Sequence, residues 1–579
     1  MRSDNHAKYM NRILSFLILF FASVDIHLFV YPSLSRSLMA GVFIAFFGIF
    51  VAALSLKNGL HNRLLSNNIP AISWIVYIAI HSFIFPSENY KVLYLLITIL
   101  WGIILSISIN QRLADWKFIQ NTVIGISILN IITIILQLAG FIPSNNPYFP
   151  ITGCAENPSE TAIYLTCCLV IVCSRLKEQR KSVLCKELFL SIILCLLLLK
   201  CRTAILGCAV ILACYLYQDR KYIFIKLSAF KQKATYLGIG FILVSLLIGL
   251  YNYKQGSSKG RLFIWETSLN MISEMPMGYG YGLYEKSYNL KQASLYNMGK
   301  MSKNEIENAN YISVAYNDIL EHGVEGGFIG SLFLVLFFFH TILIAYRNHD
   351  DEGFIIMVVL LLMSVMNYET NAIQVWVFLM AVYGKIASNA GYEVIESSRN
   401  KTASVIILLA SLLLCVKEFS FIKAQLKLAE YKNSDKCSNA CVLDDSPNGL
   451  KNTIGTSEAF YKMRAVTQMS YGNFNYALID LNVARQYTSS PEIFYLLHIC
   501  YMKIGNWAKD IEVLKTLMGI LPHSLRPRLL LMQCYDNTGN INEALKYAHG
   551  IMKKEVKIKS ENANIIKEQA KEYLLKHEK

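Results

Sequence analysis

The chain has 579 residues, 54% of them hydrophobic and only 16% charged, with a mean hydropathy of +0.38. Soluble globular domains carry about 25% charged residues, so a wholly soluble enzyme and a disordered chain are both excluded. The net charge of +15 does not point to nucleic acid. The basic clusters alternate with apolar runs, as the cytoplasmic loops of membrane proteins do, and none carries the interleaved aromatics of a nucleic-acid module.

A membrane-spanning helix needs about 20 mostly apolar residues. In chain order the apolar runs are 14–31, 38–56, 71–85, 92–109, 118–141, 161–173, 188–199, 203–217, 236–251, 327–346, 354–366, 372–386 and 403–421, thirteen in all. The pair 354–366 and 372–386 can also be read as one broken helix, which leaves twelve. The first run follows Arg2, Lys8 and Arg12, and no small-residue cleavage site follows it, so it reads as a retained span. The fold class is therefore all-α, a polytopic transmembrane helical protein of 12–13 spans. Residues 1–423 form the membrane part, 424–456 a linker and 457–579 a C-terminal α-helical domain.

Arg175, Lys177, Arg180, Lys181 and Lys186 crowd one connection, and Arg220, Lys221, Lys226, Lys231 and Lys233 crowd the next but one. The stretch 142–160 has no Lys or Arg. This alternation places the N-terminus in the cytoplasm. It also puts 142–160, 200–202 and a large loop 252–322 on the outer face, together with the tail if there are thirteen spans.

The tail repeats. Gly472-Asn473, Gly505-Asn506 and Gly539-Asn540 recur at spacings of 33 and 34, the tetratricopeptide period. Ala477 and Ala544 stand five residues after the first and third glycines, where two helices must approach closely, whereas the second unit has Asp510 there. A stack of this kind forms an extended binding surface, so the expected role is partner recruitment without a catalytic group. Cys437 and Cys441, in the linker, are a disulfide candidate if the tail lies outside the cytoplasm.

Within the large loop, Arg261, Trp265, Leu269 and Ile272 recur at helical spacing up to Pro276. Gly278, Gly280 and Gly282 then alternate with bulky residues, which permits close backbone approach to a ligand or another chain segment. Without a strand–helix frame they are no dinucleotide fingerprint. Arg202 and Arg261 sit at the outer membrane boundary, where two forked guanidinium groups suit a diphosphate. Asn367, Glu369 and Asn371 interrupt an apolar stretch and are candidates to line an acceptor cavity. His81 and His340 are isolated within spans and read as satisfied by helix partners, as does His27.

The order Arg202-Thr203-Ala204, Arg261-x-x-x-Trp265, Pro276-x-Gly278-x-Gly280, then Asn317 with Gly327 ten and Gly330 thirteen residues later, resembles the O-antigen ligase and polymerase superfamily of bacterial membrane glycosyltransferases. Gly153 to Glu160, with Asn157-Pro158, resembles that family's earlier outer-face segment. The resemblance implies a multi-pass protein of the bacterial inner membrane that transfers a glycan from undecaprenyl diphosphate, presented in the membrane lipid, without cofactor or metal. Lipid A core, another glycan (as in a polymerase) or a protein (as in a protein O-oligosaccharyltransferase) is the implied acceptor. A transporter and a non-catalytic scaffold are the competing classes. Arg202 and Arg261 correspond to the diphosphate-holding arginines, with Trp265, Gly278 and Gly280 on the substrate side and Tyr316 and Asn317 at the catalytic position. One departure stands out: the family carries His where this chain has Tyr316. A phenol is a poor base at neutral pH but can orient an acceptor hydroxyl. His322, Asp318, Glu321 and Glu325 are the other groups close by in sequence.

Overall fold

The structure is a computed structural model that describes residues 2–25, 32–179, 182–218, 238, 255–388, 399–433, 453, 457–554 and 560–578. The expected span 236–251, the basic cluster 220–233, Arg180 and Lys181, His27 and the Cys437–Cys441 pair lie outside the described residues, Gly238 excepted.

Among the described residues the chain is helical almost throughout. The membrane part runs α1 (Arg2–Ser23), α2 (Pro32–Asn58), α3 (Asn62–Asn67), α4 (Ile69–Ile84), α5 (Asn89–Asn110), α6 (Trp116–Leu138), α7 (Pro158–Glu178), α8 (Val183–Leu199) and α9 (Arg202–Gln218). The loop helices α10 (Gln255–Glu274), α11 (Tyr284–Asn297) and α12 (Lys303–Asn308) follow. Then come α13 (Asp318–Arg347), α14 (Asp351–Ser364), α15 (Ile373–Ser388) and α16 (Lys401–Asn433). Two-residue strands, Leu60–His61 and Arg399–Asn400, pair antiparallel and tie the end of α2 to the start of α16. Six of the helices (α2, α5, α6, α7, α13 and α16) are long and apolar enough to cross a membrane, and α4, α9 and α15 are shorter apolar helices. The molecule is a polytopic helical membrane protein.

Two boundaries differ from the sequence reading, and the stretch 354–386 agrees with its reading as two helices, not with the alternative of one broken helix. Helix α1 ends at Ser23 and not at 31. The runs 354–366 and 372–386 are two helices, α14 and α15, joined by a turn and a 3-10 segment, Glu369–Asn371. Helix α13 begins at Asp318, so the large loop closes four residues before His322. Asn317 caps α13, its side chain accepting the Leu320 N–H at 3.1 Å, and the polar first turns carried too little hydropathy to register as helix.

Helix α5, the most buried of the six long apolar helices, packs along α15 through small residues. A Cβ on Gly384 would lie 2.8 Å from the Gly102 carbonyl oxygen, and one on Gly102 would lie 2.7 Å from the Tyr383 ring. Such small-residue contacts let apolar helices approach closely and gain dispersion energy. Polar ties fix the register: Trp376 Nε1 donates to Thr98 Oγ1 at 2.9 Å, and the Tyr383 hydroxyl donates to Asn68 Oδ1 at 2.8 Å. Lys385 pairs with Asp350 at 2.6 Å at the bundle end opposite the loop helices.

The C-terminal part forms α17 (Glu458–Ser470), α18 (Phe474–Ala484), α19 (Pro491–Lys503), α20 (Trp507–Ile520), α21 (Arg526–Asn537), α22 (Ile541–Lys553) and α23 (Glu561–His577), each packed on the next. The repeated Gly-Asn has a physical cause. Gly472, Gly505 and Gly539 adopt φ of 76°, 74° and 72°, the left-handed conformation that closes a helix. The following Asn N–H then returns to Gln468, Tyr501 or Tyr535 oxygen, each at 2.9 Å.

This helical stack is seated on the loop. Gln292 of α11 donates to the Gly519 and Ile520 carbonyls at 3.3 and 3.1 Å, and Arg528 donates to the Tyr296 hydroxyl at 2.9 Å. A Cβ on Gly519 would fall 2.7 Å from Ala293 Cα. Phe421, Ala424 and Leu428 of α16 join the same apolar cluster as Phe460 and Tyr461 of the stack. Helix α16 thus continues through the first ten residues of the stretch read as linker.

Candidate functional site

The site is organised by the connection between α14 and α15, residues 365–372. Its residues from Met366 to Asn371 all reach segments far away in the sequence. The Met366 carbonyl accepts from Arg261 Nη1 at 2.7 Å. Asn367 Nδ2 donates to Thr203 Oγ1 at 2.7 Å, next to Arg202. The Tyr368 ring meets the Tyr316 ring edge-on, centroids 5.7 Å apart, and its hydroxyl bonds Asn157. The backbone N–H groups of Glu369 and Thr370 donate to Asp318, at 2.9 and 3.2 Å, and the Thr370 hydroxyl adds a 2.6 Å bond. Asn371 donates to Glu321 at 2.5 Å and accepts from Lys91. Four motif segments, at Asn157, Thr203, Arg261 and 316–321, are drawn together with Lys91 to one eight-residue turn.

Arg261 lies in the second turn of α10, which starts at Gln255 and not at Arg261. Its guanidinium is centred over the Tyr316 ring, 5.0 Å from the centroid, a cation–π geometry. Burial pulls its pKa below the usual arginine value, and the charge of Arg202 pulls it further. Two like charges that sense each other in a partly desolvated place favour an anion beside them. Trp265, one turn on, donates from Nε1 to the Ala315 carbonyl at 3.2 Å. Arg261 and Trp265 therefore clamp the 315–316 segment from the same face of α10.

Tyr316 has φ of 52°, a left-handed backbone that side chains other than glycine adopt at a cost of about 1 kcal/mol or more. It is half-buried and sits between Arg261 and Tyr368. Asn317 next to it acts as the helix cap described above.

Gly278 and Gly280 serve α13. The Tyr279 and Gly280 N–H groups donate to the Val324 and Glu325 carbonyls, both at 2.8 Å, and Phe328 N–H returns to the Pro276 carbonyl at 2.9 Å. These bonds cover the break in α13 at Gly327, where φ is 69° and ψ −174°. Gly278, φ 87°, and Gly280, φ 112°, leave no room for a Cβ, which would strike Gly327 and the Pro86 carbonyl respectively. The close approach that the alternating glycines permit is to this chain's own backbone.

Of the other groups named from sequence, Asp318, Glu321 and Glu325 are occupied, whereas the buried Glu369 carboxylate and His322 Nδ1 have no hydrogen-bond partner among the described residues. Asp318 and Glu321 hold the turn, with Ala315 N–H also on Glu321 at 2.9 Å. Glu325 accepts Gly282 N–H at 3.0 Å. His322 is buried against Trp74 and Tyr281, away from Tyr316. His81 bonds the Met277 carbonyl at 2.8 Å.

A cavity of about 240 Å³ opens between this turn and the stack. Glu88, Lys91, Glu285 and Glu321 line it on one side, and Glu458 and Tyr487 of the stack on the other. Burial, opposed by Lys91 and assisted by Glu458 and Glu285, raises Glu88 to about 7. Sequence reading missed Lys91, Met366, Tyr368 and the stack residues. The signal available was the cluster of polar residues at 367–371 inside an apolar run.

No curated protein matches the chain. Residues 188–335 match the family model described as O-antigen ligase, a stretch that contains Arg202, Arg261, Trp265, the Gly278–Gly280 loop, Tyr316 and the Gly327 break, and this match supports the O-antigen ligase superfamily and its type of glycosyl transfer at the membrane.

Proposed function

We propose that this protein transfers a glycan from undecaprenyl diphosphate to an acceptor hydroxyl, as an O-antigen ligase does, at the outer face of the bacterial inner membrane. The observation that carries the reading is the turn 365–372, which gathers Arg202, Arg261 and Tyr316 into one partly desolvated place. In the reaction the bond from the anomeric carbon to the diphosphate oxygen breaks and the acceptor oxygen takes its place. The acceptor proton leaves to solvent and the charge remains on the diphosphate. Arg202 and Arg261 hold that diphosphate and stabilise the charge as it develops. The Tyr316 hydroxyl accepts a hydrogen bond from the acceptor and sets its direction. Asn317 keeps Tyr316 at the head of α13, Trp265 holds the preceding carbonyl, and Gly278 and Gly280 shape the loop that seals the break behind the site. The resemblance that supports this reading implies no cofactor and no metal in the transfer.

The orientation proposed has the N-terminus in the cytoplasm and the loop, site and stack outside. The stack, proposed as tetratricopeptide-like over 457–579, clamps α11 and presents its remaining surface to a partner or acceptor carrier.

Purified protein in lipid vesicles, supplied with an undecaprenyl-diphosphate oligosaccharide, should release undecaprenyl diphosphate only when an acceptor is added. Release without dependence on any of lipid A core, a glycan or a protein would refute the transfer reading. In a deletion strain, loss of glycan from lipid A core marks a ligase, shortened chains a polymerase, and unmodified protein a protein glycosyltransferase.

A further inference from the structure

Position 510 breaks the repeat. Ala477 and Ala544, five residues after their glycines, are fully buried, and Asp510 at the same place is fully buried too. A carboxylate there must be compensated. Compensation comes from the helices on either side. His498 Nδ1, on α19, lies 2.9 and 3.0 Å from the two Asp510 oxygens. Cys534 Sγ, on α21, lies 3.1 Å from Oδ2. In the neighbouring units the positions of His498 are taken by Ala465 and Met532, so the polar trio occurs at this one junction. Its ligand atoms all lie within 4.8 Å of one another, and all three residues are buried.

We propose that His498, Asp510 and Cys534 form a structural site for one divalent transition-metal ion, of the class of zinc, which locks the second and third units of the stack together. An imidazole, a carboxylate and a thiolate are the donor set that zinc takes. With metal–ligand bonds of about 2.0–2.3 Å, the edges of a tetrahedron are roughly 3.3–3.6 Å long. The His498–Asp510 and Asp510–Cys534 separations need to open by only about half an ångström, and the His498–Cys534 edge lies within 4.8 Å. The second Asp510 oxygen or a water supplies the fourth ligand. Binding expels the thiol proton and moves the imidazole proton from Nδ1 to Nε2, which turns Nδ1 from donor to ligand. The dication then faces one thiolate and one carboxylate, so the buried unit carries no net charge. The site is on the stack and takes no part in the transfer, so it stands or falls independently of the proposed function.

Full-length protein in detergent is loaded with Zn2+, desalted and assayed for metal, and a parallel sample is loaded with Co2+ for absorption. The wild type should retain one equivalent and show a sulfur-to-cobalt charge-transfer band. Cys534→Ser should lose that band and most of the metal while staying folded, because a hydroxyl can still bond Asp510. His498→Ala should lose the metal, and Cys500→Ser should lose neither. A chelator should lower the thermal midpoint of the wild type and leave that of Cys534→Ser unchanged. Sub-stoichiometric metal in the wild type after loading, or a cobalt band that survives Cys534→Ser, would overturn the site and leave a trio held by protons.

Discussion

Glu285 and Ser489 are 204 residues apart, yet the carboxylate of the one takes both polar hydrogens of the other: the Ser489 N–H at 3.0 Å and its hydroxyl at 2.5 Å, with the Thr488 hydroxyl a third donor at 3.1 Å. Every one of these donors comes from the α18–α19 turn of the stack. Glu285 in turn lies in the first turn of α11, just after the loop that seals the break in α13.

Removing that carboxylate should therefore loosen the stack from the loop. Glu285→Ala is expected to cost about 2–4 kcal/mol of docking, as charge-assisted bonds lost from a buried place do. Limited proteolysis should cut between α16 and α17 faster, and transfer should fall. Truncation after Tyr431 should lower transfer to a small acceptor for the same reason. Undiminished turnover in the truncated protein would confine the stack to recruitment.

Arg261→Ala and Arg202→Ala should each reduce transfer about a hundredfold or more, with normal membrane abundance. Lysine should rescue poorly, since a point charge lacks the guanidinium fork. Arg261→Lys also loses the bond geometry to the Met366 carbonyl. Measurement of undecaprenyl diphosphate release at saturating acceptor checks both.

At position 316, backbone and side chain can be separated. Tyr316→Gly relieves the left-handed strain and should raise the thermal midpoint or leave it unchanged, while transfer drops because the acceptor-orienting hydroxyl is gone. Phe should keep the stability and lose most of the rate. His should retain activity. Equal rates for Phe and Tyr would remove the hydroxyl from the mechanism.

Gly280→Ala tests whether the glycine loop is structural. With φ at 112° and the Pro86 carbonyl in the way, it should destabilise by about 2 kcal/mol or more. A thermal melt at normal Arg261-dependent donor binding would show the loss to be one of folding. A variant as stable as the wild type but unable to bind donor would place the glycines at the ligand instead.

The cavity under the stack should respond to pH. Glu88 is raised to about 7 from 4.5, so the folded protein holds its proton where the unfolded chain has released it. Stability from this group is complete below about 4.5, declines as pH rises through that window, and is lost above about 7. Glu88→Gln should flatten the dependence of stack protection on pH across that range. An unchanged profile would assign the titration to another group.

The membrane helices and the repeat glycines were legible because each announces itself locally: twenty apolar residues in a row, or a Gly-Asn that closes one helix and starts another. Arg202, Arg261 and Tyr316 could be picked out as residue types in a spaced order. The turn that unites them showed only as Asn367, Glu369 and Asn371 interrupting an apolar stretch, not as the place where the others meet. Met366 acts through its carbonyl, which every residue has, and Tyr368 is an aromatic among apolar neighbours. Lys91 is a single cation just before the apolar run 92–109. Asp318 and Glu321 read as possible bases until their oxygens were found accepting from the turn. Their partners lie some fifty residues away, and a spacing rule does not reach that far.

Helix α16 has 33 residues, about 50 Å at 1.5 Å per residue, against a hydrocarbon core of about 30 Å. The surplus is the part whose Phe421, Ala424 and Leu428 carry the stack. A rigid rod fixes both height and rotation. One residue inserted near Val416 would lift the stack by about 1.5 Å and swing it by about 100°, carrying Ser489 away from Glu285. Seven residues would restore the angle to within about 20° but leave the stack about 10 Å too high. The helix that anchors the chain in the membrane is thus also the gauge that brings two ends of the sequence into phase.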